Sequence, residues 1–217
     1  MSKRWMLAVC AALAVGAVQA DVNRPAAPSI KAVQIDMGPG CRIRLVVPAA
    51  ARVSGSPERG GSGSVTVENP LGLVTKRYVA PFWLPFICHD ADSKVVTDGW
   101  GKRLSNGEWV ASVPEADEVL FKGATRAHQV HAVNASGWAV AVDDVIGEER
   151  YRSRKLYYCV IHTVKAVCGH SEMGLLAEIR RNPRHDLTTY ALKILRSIEF
   201  IEDAVPAAPS ASQPVMR

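Results

Sequence analysis

The chain has 217 residues, 48% of them hydrophobic and 22% charged, with 26 Lys+Arg against 21 Asp+Glu. Residues 1–20 contain two of the basic side chains, Lys3 and Arg4, and no acid, so the remainder carries 24 against 21, a formal charge of +3. A balance that even argues against nucleic-acid binding, which needs a clustered basic face.

Ser2, Lys3 and Arg4 form a short basic start, and Met6 to Val18 is almost wholly Ala, Val, Leu and Met. This run has the length of a signal-peptide core and is short for a bilayer span. Val18-Gln19-Ala20 supplies a small residue at the expected cleavage point, so residues 1–20 read as a cleaved signal peptide directing the chain to the periplasm. An uncleaved anchor fits the short run less well. A lipoprotein signal at Cys10 is disfavoured because that cysteine lies inside the apolar run behind Val9. The later run Val79–Cys88 is interrupted by Pro81 and Pro85, so no stable membrane insertion is expected after cleavage.

Residues 21–30 are expected to be a flexible segment, 31–203 a single disulfide-supported α+β domain, and 204–217 a disordered Pro-Ala-Ser tail. Four cysteines remain after export: Cys41, Cys88, Cys159 and Cys168. An even number in an oxidising compartment predicts disulfides. Of the three possible pairings, Cys41–Cys88 with Cys159–Cys168 is the one expected. No paired CxxC spacing supports zinc.

Ala32–Asp36 and Cys41–Val47 read as strands, the second alternating Ile43, Leu45 and Val47 with Arg42, Arg44 and Val46. The Ser-Gly tract 54–64 reads as a flexible loop by composition. Ser64–Glu68 and Leu73–Val79 flank the turn formers Asn69-Pro70-Leu71-Gly72 and predict a hairpin. Trp83–His89 is apolar and buried in character, with Pro85 suggesting an edge or bulge. Ser105-Asn106-Gly107-Glu108 predicts a two-residue type I′ hairpin in which Leu104 faces Trp109, Lys102 faces Ala111 and Trp100 faces Val113.

A further hairpin is expected at Asn134-Ala135-Ser136-Gly137, whose second strand puts Trp138, Val140 and Val142 on one face and Ala139 and Ala141 on the other. The stretch from Leu156 to His170 reads as a buried strand, a turn and a return, stapled by Cys159–Cys168. Residues 172–181 fit a short helix or a strand. Asp186 is a good N-cap for a helix with Leu187, Tyr190, Ala191, Ile194, Leu195 and Ile198 on one face. The fold class that follows is α+β, a mainly antiparallel sheet with a C-terminal helix packed on it.

Chemistry is sparse. His128 and His131, three apart on a strand, point to opposite faces. His89 with Asp90 and Asp92 reads as a solvated turn. His162 and His170, with His89 as a third ligand, make the strongest metal constellation, and it is a minor expectation. Gly60-Gly61-Ser62-Gly63-Ser64 lacks the closing glycine of a nucleophile elbow, and no phosphate-binding or dinucleotide-binding glycine pattern is present. Glu115, Asp117 and Glu118 read as a solvated acidic face. No cofactor is expected.

The charged segment from Asp143 to Lys155 supports a binding hypothesis. On a strand, Arg150, Arg152 and Arg154 share one face beside Tyr151, a basic stripe for an acidic partner. Self-neutralisation by Asp143, Asp144, Glu148 and Glu149 is the competing outcome. The functional expectation is an exported, non-enzymatic domain that binds another protein, in its sharpest form an inhibitor or immunity protein against an envelope-targeting toxin. The alternatives are a metal-dependent hydrolase built on the three histidines and an envelope structural or assembly component.

Overall fold

The computed structural model describes residues 29–58, 60–72 and 80–202. Residues 1–28, which hold the expected signal peptide and most of the expected flexible segment, lie outside these residues, as do 59, 73–79 and 203–217 with the expected tail. Strands β1 (Ile30–Asp36) and β2 (Arg42–Pro48) form an antiparallel hairpin, in which Ile43, Leu45 and Val47 are buried and Arg44 and Val46 face outward. β3 (Arg52–Ser56), β4 (Ser62–Val67) and β5 (Phe82–Asp90) run back and forth. The short helix α1 (Lys94–Thr97) leads into a small hairpin of β6 (Gly101–Arg103) and β7 (Trp109–Ala111). Then come β8 (Thr125–His131), β9 (Ser136–Asp143), β10 (Ser153–His162) and β11 (Lys165–Leu175). Helices α2 (Leu176–Arg181) and α3 (Thr188–Arg196) and the short strand β12 (Glu199–Phe200) follow.

The large sheet has the order β3-β4-β5-β11-β10-β9-β8 and is antiparallel throughout. A second sheet, β1-β2-β12, packs with α3 on its inner face. This is the mainly antiparallel α+β fold, with the C-terminal helix on the sheet. The inner core joins Ile35, Ile43 and Leu45 of the small sheet to Leu84, Phe86, Leu156, Tyr158 and Val160 of the large one, closed by Ala191, Ile194 and Leu195 of α3. The alanines Ala139 and Ala141 belong to this crowded side, whereas Trp138, Val140 and Val142 fill an outer core with Val96, Cys159 and Cys168. β9 is therefore buried on both faces, and its small-large alternation distinguishes the two cores rather than core from solvent.

The disulfides are Cys41–Cys88 and Cys159–Cys168. The first spans 47 residues and ties the small sheet to β5; the second spans 9 and crosslinks β10 to β11. Loop-closure entropy puts these at roughly 4 and roughly 2.5 kcal/mol, with the longer loop worth more.

Three expectations are corrected. The Ser-Gly tract is not a flexible loop: Arg52–Ser56 pairs with Ser62–Val67 as β3 and β4. Its glycines mark a crossing, since a β-carbon at Gly63 would lie 2.4 Å from Ile35 Cγ2 and one at Gly55 2.7 Å from the Asp36 carbonyl oxygen. β1 could not lie across the sheet over bulkier residues. β4 pairs with β3 on one side and β5 on the other; Leu73–Val79, expected to form a hairpin with Ser64–Glu68, lies outside the described residues.

Pro85 marks neither an edge nor a bulge. β5 is internal, but its ladder to β11 covers only Ile87–Asp90; beyond it Tyr158 donates its hydroxyl to the Pro85 carbonyl and Ser171 donates to the Trp83 carbonyl. Finally, the Asn-Gly hairpin is one residue out of the expected register, with Arg103 opposite Trp109 and Lys102 opposite Val110. Only Gly107 takes positive φ, at 89°, while Asn106 accepts from the Glu108 amide at 3.0 Å, so the loop has three residues with a bulge instead of a two-residue turn. The ambiguous stretch 172–181 divides at Leu175, strand before and helix after.

Candidate functional site

The charged segment does not form the expected stripe. Glu149–Tyr151 is a 3-10 turn, which breaks the strand alternation, and Arg154 is only 8% exposed. Arg154 donates twice to Asp143, at 2.6 and 2.8 Å, and once to Asp186 at 2.6 Å. The Asp143 bonds and charge raise the guanidinium further above its usual range, against the opposing effect of burial. Burial pushes the Asp186 carboxyl upward, but the Thr188 donors and Arg154 outweigh it and hold the group below the ordinary value. The other Asp186 oxygen accepts from the Thr188 amide at 2.9 Å, satisfying the first turn of α3. Arg154 thus fastens β9 and β10 to the start of α3, a structural role. His128 faces the same cluster. Burial first, then the Arg196, Arg126 and Arg154 charges, lower its pKa against the pull of Asp186, so the ring is neutral at pH 7.

What remains exposed is a separate surface. Between β9 and β10 the chain presents Ile146, 65% exposed, and Tyr151, 66% exposed, with the Arg150 guanidinium 4.7 Å from the Tyr151 ring centre. The loop is tightly bonded to itself. Arg152 donates through Nε and Nη2 to the Gly147 carbonyl at 3.0 and 2.9 Å, the Ile146 amide donates to Asp144, and the Tyr151 amide donates to the Glu148 carbonyl. Arg180 of α2 pairs with Glu149, and Arg150 with Glu148 at 2.8 Å. A shallow depression is lined by Glu148, Glu149, Arg150 and Ala177. Further along the chain, the exposed Arg181 and Arg184 make no ion pair among the described residues.

A second surface was not foreseen. The outer face of the large sheet is covered over β8–β11 by α1 and the β6–β7 hairpin, whose Trp100 and Trp109 pack on Tyr157 and Trp138. Over β3–β5 it carries a groove of about 600 Å³ lined by Ser54, Ser56, Ser62, Ser64, Trp83 and Ile87 among others. The register places Ser54–Ser64–Pro85 and Ser56–Ser62–Ile87 in two rows, with Thr66 beside Trp83. The arrangement depends on which strands pair, and the linear signal, serines at alternate positions, was masked by the glycines between them.

The histidines do not come together. His170 lies opposite Tyr157 and stacks on it, while His162, five positions along β10, stacks on Phe200 and bonds the Asn134 carbonyl at 2.7 Å. Asn134 in turn clamps the Phe200 backbone with both ends of its amide. His89 pairs across from Ala166, and burial lowers its pKa against the pull of Asp90, whose carboxylate binds Lys165 at 2.6 Å. Among the described residues no group of three His, Cys, Asp or Glu is placed to hold a metal ion. Glu115–Asp117 is a 3-10 turn on the surface. No described helix is long and apolar enough to cross a membrane. No family model, curated protein or solved structure matches the chain.

Proposed function

We propose that this chain is a non-enzymatic binding protein of the periplasm, exported by residues 1–20, that holds another protein through the loop 144–152 and the adjoining face of α2. The observation that carries the reading is the conformation of that loop. Ile146, Tyr151 and Arg150 stand in solvent while the backbone beneath them is fixed by its own hydrogen bonds. Tyr and Arg dominate interface hot spots, and a loop already ordered loses little entropy on binding. The exposed Arg181 at the end of α2 and Arg184 in the turn after it favour an acidic partner surface. Two disulfides suit an oxidising compartment. An inhibitor or immunity protein that blocks an envelope-targeting toxin is the sharpest form of this reading, since such a protein needs a rigid contact surface and no chemistry of its own.

The test is affinity capture with the oxidised full chain, followed by titration of the retained partner. Tyr151→Ala and Arg150→Glu should each weaken binding at least tenfold, which corresponds to about 1.4 kcal/mol. They should leave thermal stability unchanged, because both residues are exposed. Equal affinity for wild type and both variants would reject the surface.

A further inference from the structure

We propose that the groove on the outer face of β3, β4 and β5 is a binding site for a neutral oligosaccharide, with Trp83 as the stacking platform and the serine rows as its hydrogen-bonding floor. Trp83 lies mid-sheet, where its neighbours Phe82 and Leu84 are fully packed, yet it is 53% exposed, and Ile87 on the same face is 43% exposed. Between and beside them stand hydroxyls. Ser54 Oγ and Ser64 Oγ are 2.9 Å apart, and Ser56 and Ser62 are paired one step further along the same strands. From Trp83 to Ile87 the face runs about 13 Å, and across three strands about 10 Å.

The chemistry of this lining selects its ligand. Among the described residues no lysine or arginine lines the groove, and Glu58 is its one ionised group. With no cation in its lining and one carboxylate at its edge, the groove disfavours an anion and suits a ligand without charge; the nearest guanidinium, Arg52 opposite Thr66, is paired with Glu68 at 2.6 Å. A serine hydroxyl both donates and accepts; in the Ser54–Ser64 pair one proton is used between the two, leaving the other and spare lone pairs for a ligand. A sugar ring has matching parts. Its equatorial hydroxyls exchange hydrogen bonds with such a floor in place of water at little net loss. Its C–H face carries partial positive charge and lies against the electron-rich face of an indole. A protein partner would favour an apolar centre with a polar rim. Here hydroxyls occupy the middle and the apolar groups one side. The site is separate from the loop 144–152, so the two proposals stand or fall independently.

The test uses the oxidised full chain with cellotriose, tri-N-acetylchitotriose and maltotriose, followed by calorimetry and by backbone amide shifts. At least one trisaccharide should bind saturably with a dissociation constant below about 1 mM, with shifts concentrated at Ser54, Ser56, Ser62, Ser64 and Trp83. Trp83→Ala should weaken binding at least tenfold and Trp83→Tyr should restore most of it, because a phenol ring retains the platform. Ser64→Val is the second variant. It suits a strand, removes a floor hydroxyl, and should abolish binding while the disulfides and near-UV circular dichroism stay intact. Three sugars that fail to saturate, or equal binding by wild type and Trp83→Ala, would overturn the proposal. So would loss of the captured protein partner in Trp83→Ala, since the face would then belong to a protein interface.

Discussion

Arg154→Ala is expected to cost about 3 kcal/mol at pH 7, measured by urea unfolding of the oxidised protein. Removing one partner of a buried ion pair leaves an uncompensated charge, at a cost of about 3–5 kcal/mol. Here two carboxylates are stranded, but the Asp143 and Asp186 side chains keep 20% and 23% exposure, and Arg126 remains 3.8 Å from Asp143, which sets the expectation at the lower end. The pH dependence identifies the cause. In the wild type Asp186 titrates below its ordinary value, so its contribution is present above that value and is lost as pH falls through the folded pKa. Without Arg154, the upward push of burial on the Asp186 carboxyl loses one of its counterweights. The variant is then destabilised most where the stranded carboxylates are ionised, and its deficit should shrink as the pH is lowered toward 3. Adding Asp186→Asn to Arg154→Ala should recover about 1 kcal/mol, because asparagine still caps α3 while the stranded charge is gone. A deficit that does not change with pH would reject the ion-pair account in favour of lost packing.

Arg154 also shows where the sequence stops being legible. Its neighbours Arg150 and Arg152 make it look like one of a surface row, and nothing local marks it as buried. The carboxylates that hold it come from positions 143 and 186, and the second approaches only because α3 folds back onto the sheet. The α3 stripe itself was readable, since Ala191, Ile194, Leu195 and Ile198 recur with helical spacing and all are buried. So was β9, where alternation of Trp138, Val140 and Val142 with Ala139 and Ala141 is local to one strand. The Ser-Gly tract misled for the opposite reason. Its small residues were selected by β1 crossing 20 positions away in sequence, and composition cannot distinguish a glycine needed for close approach from one that confers freedom. The groove at Trp83 follows the same rule, because its rows exist only once β3, β4 and β5 are in register.

Gly137→Ala is expected to be comparably severe, although the change adds a single methyl group. Gly137 lies in β9 between Val130 of β8 and Val160 of β10, with ordinary negative φ, so backbone strain is not the issue. A β-carbon there would lie 2.0 Å from the Cys159 carbonyl oxygen, 2.9 Å from its carbon and 3.0 Å from Val160 Cα. All three are backbone atoms of the adjacent strand, so no side chain can rotate away and β9 must separate from β10. Overpacking costs about 1–3 kcal/mol, and each ladder hydrogen bond lost adds about 1 kcal/mol. Together these set the expectation at about 3 kcal/mol, or a melting temperature lower by about 6–12 °C for a chain of this size. The separation cannot propagate freely, because Cys159 is bonded to Cys168 on the far side and Trp138 is wedged in the outer core. Reduction of the disulfides should therefore enlarge the deficit of Gly137→Ala. Ser136→Ala, one residue earlier and exposed, should stay within about 0.5 kcal/mol of wild type. A Gly137→Ala protein that melts with the wild type would mean that β9 can leave β10 at this point at little cost, and that the two-sided burial of β9 is not what holds the large sheet together.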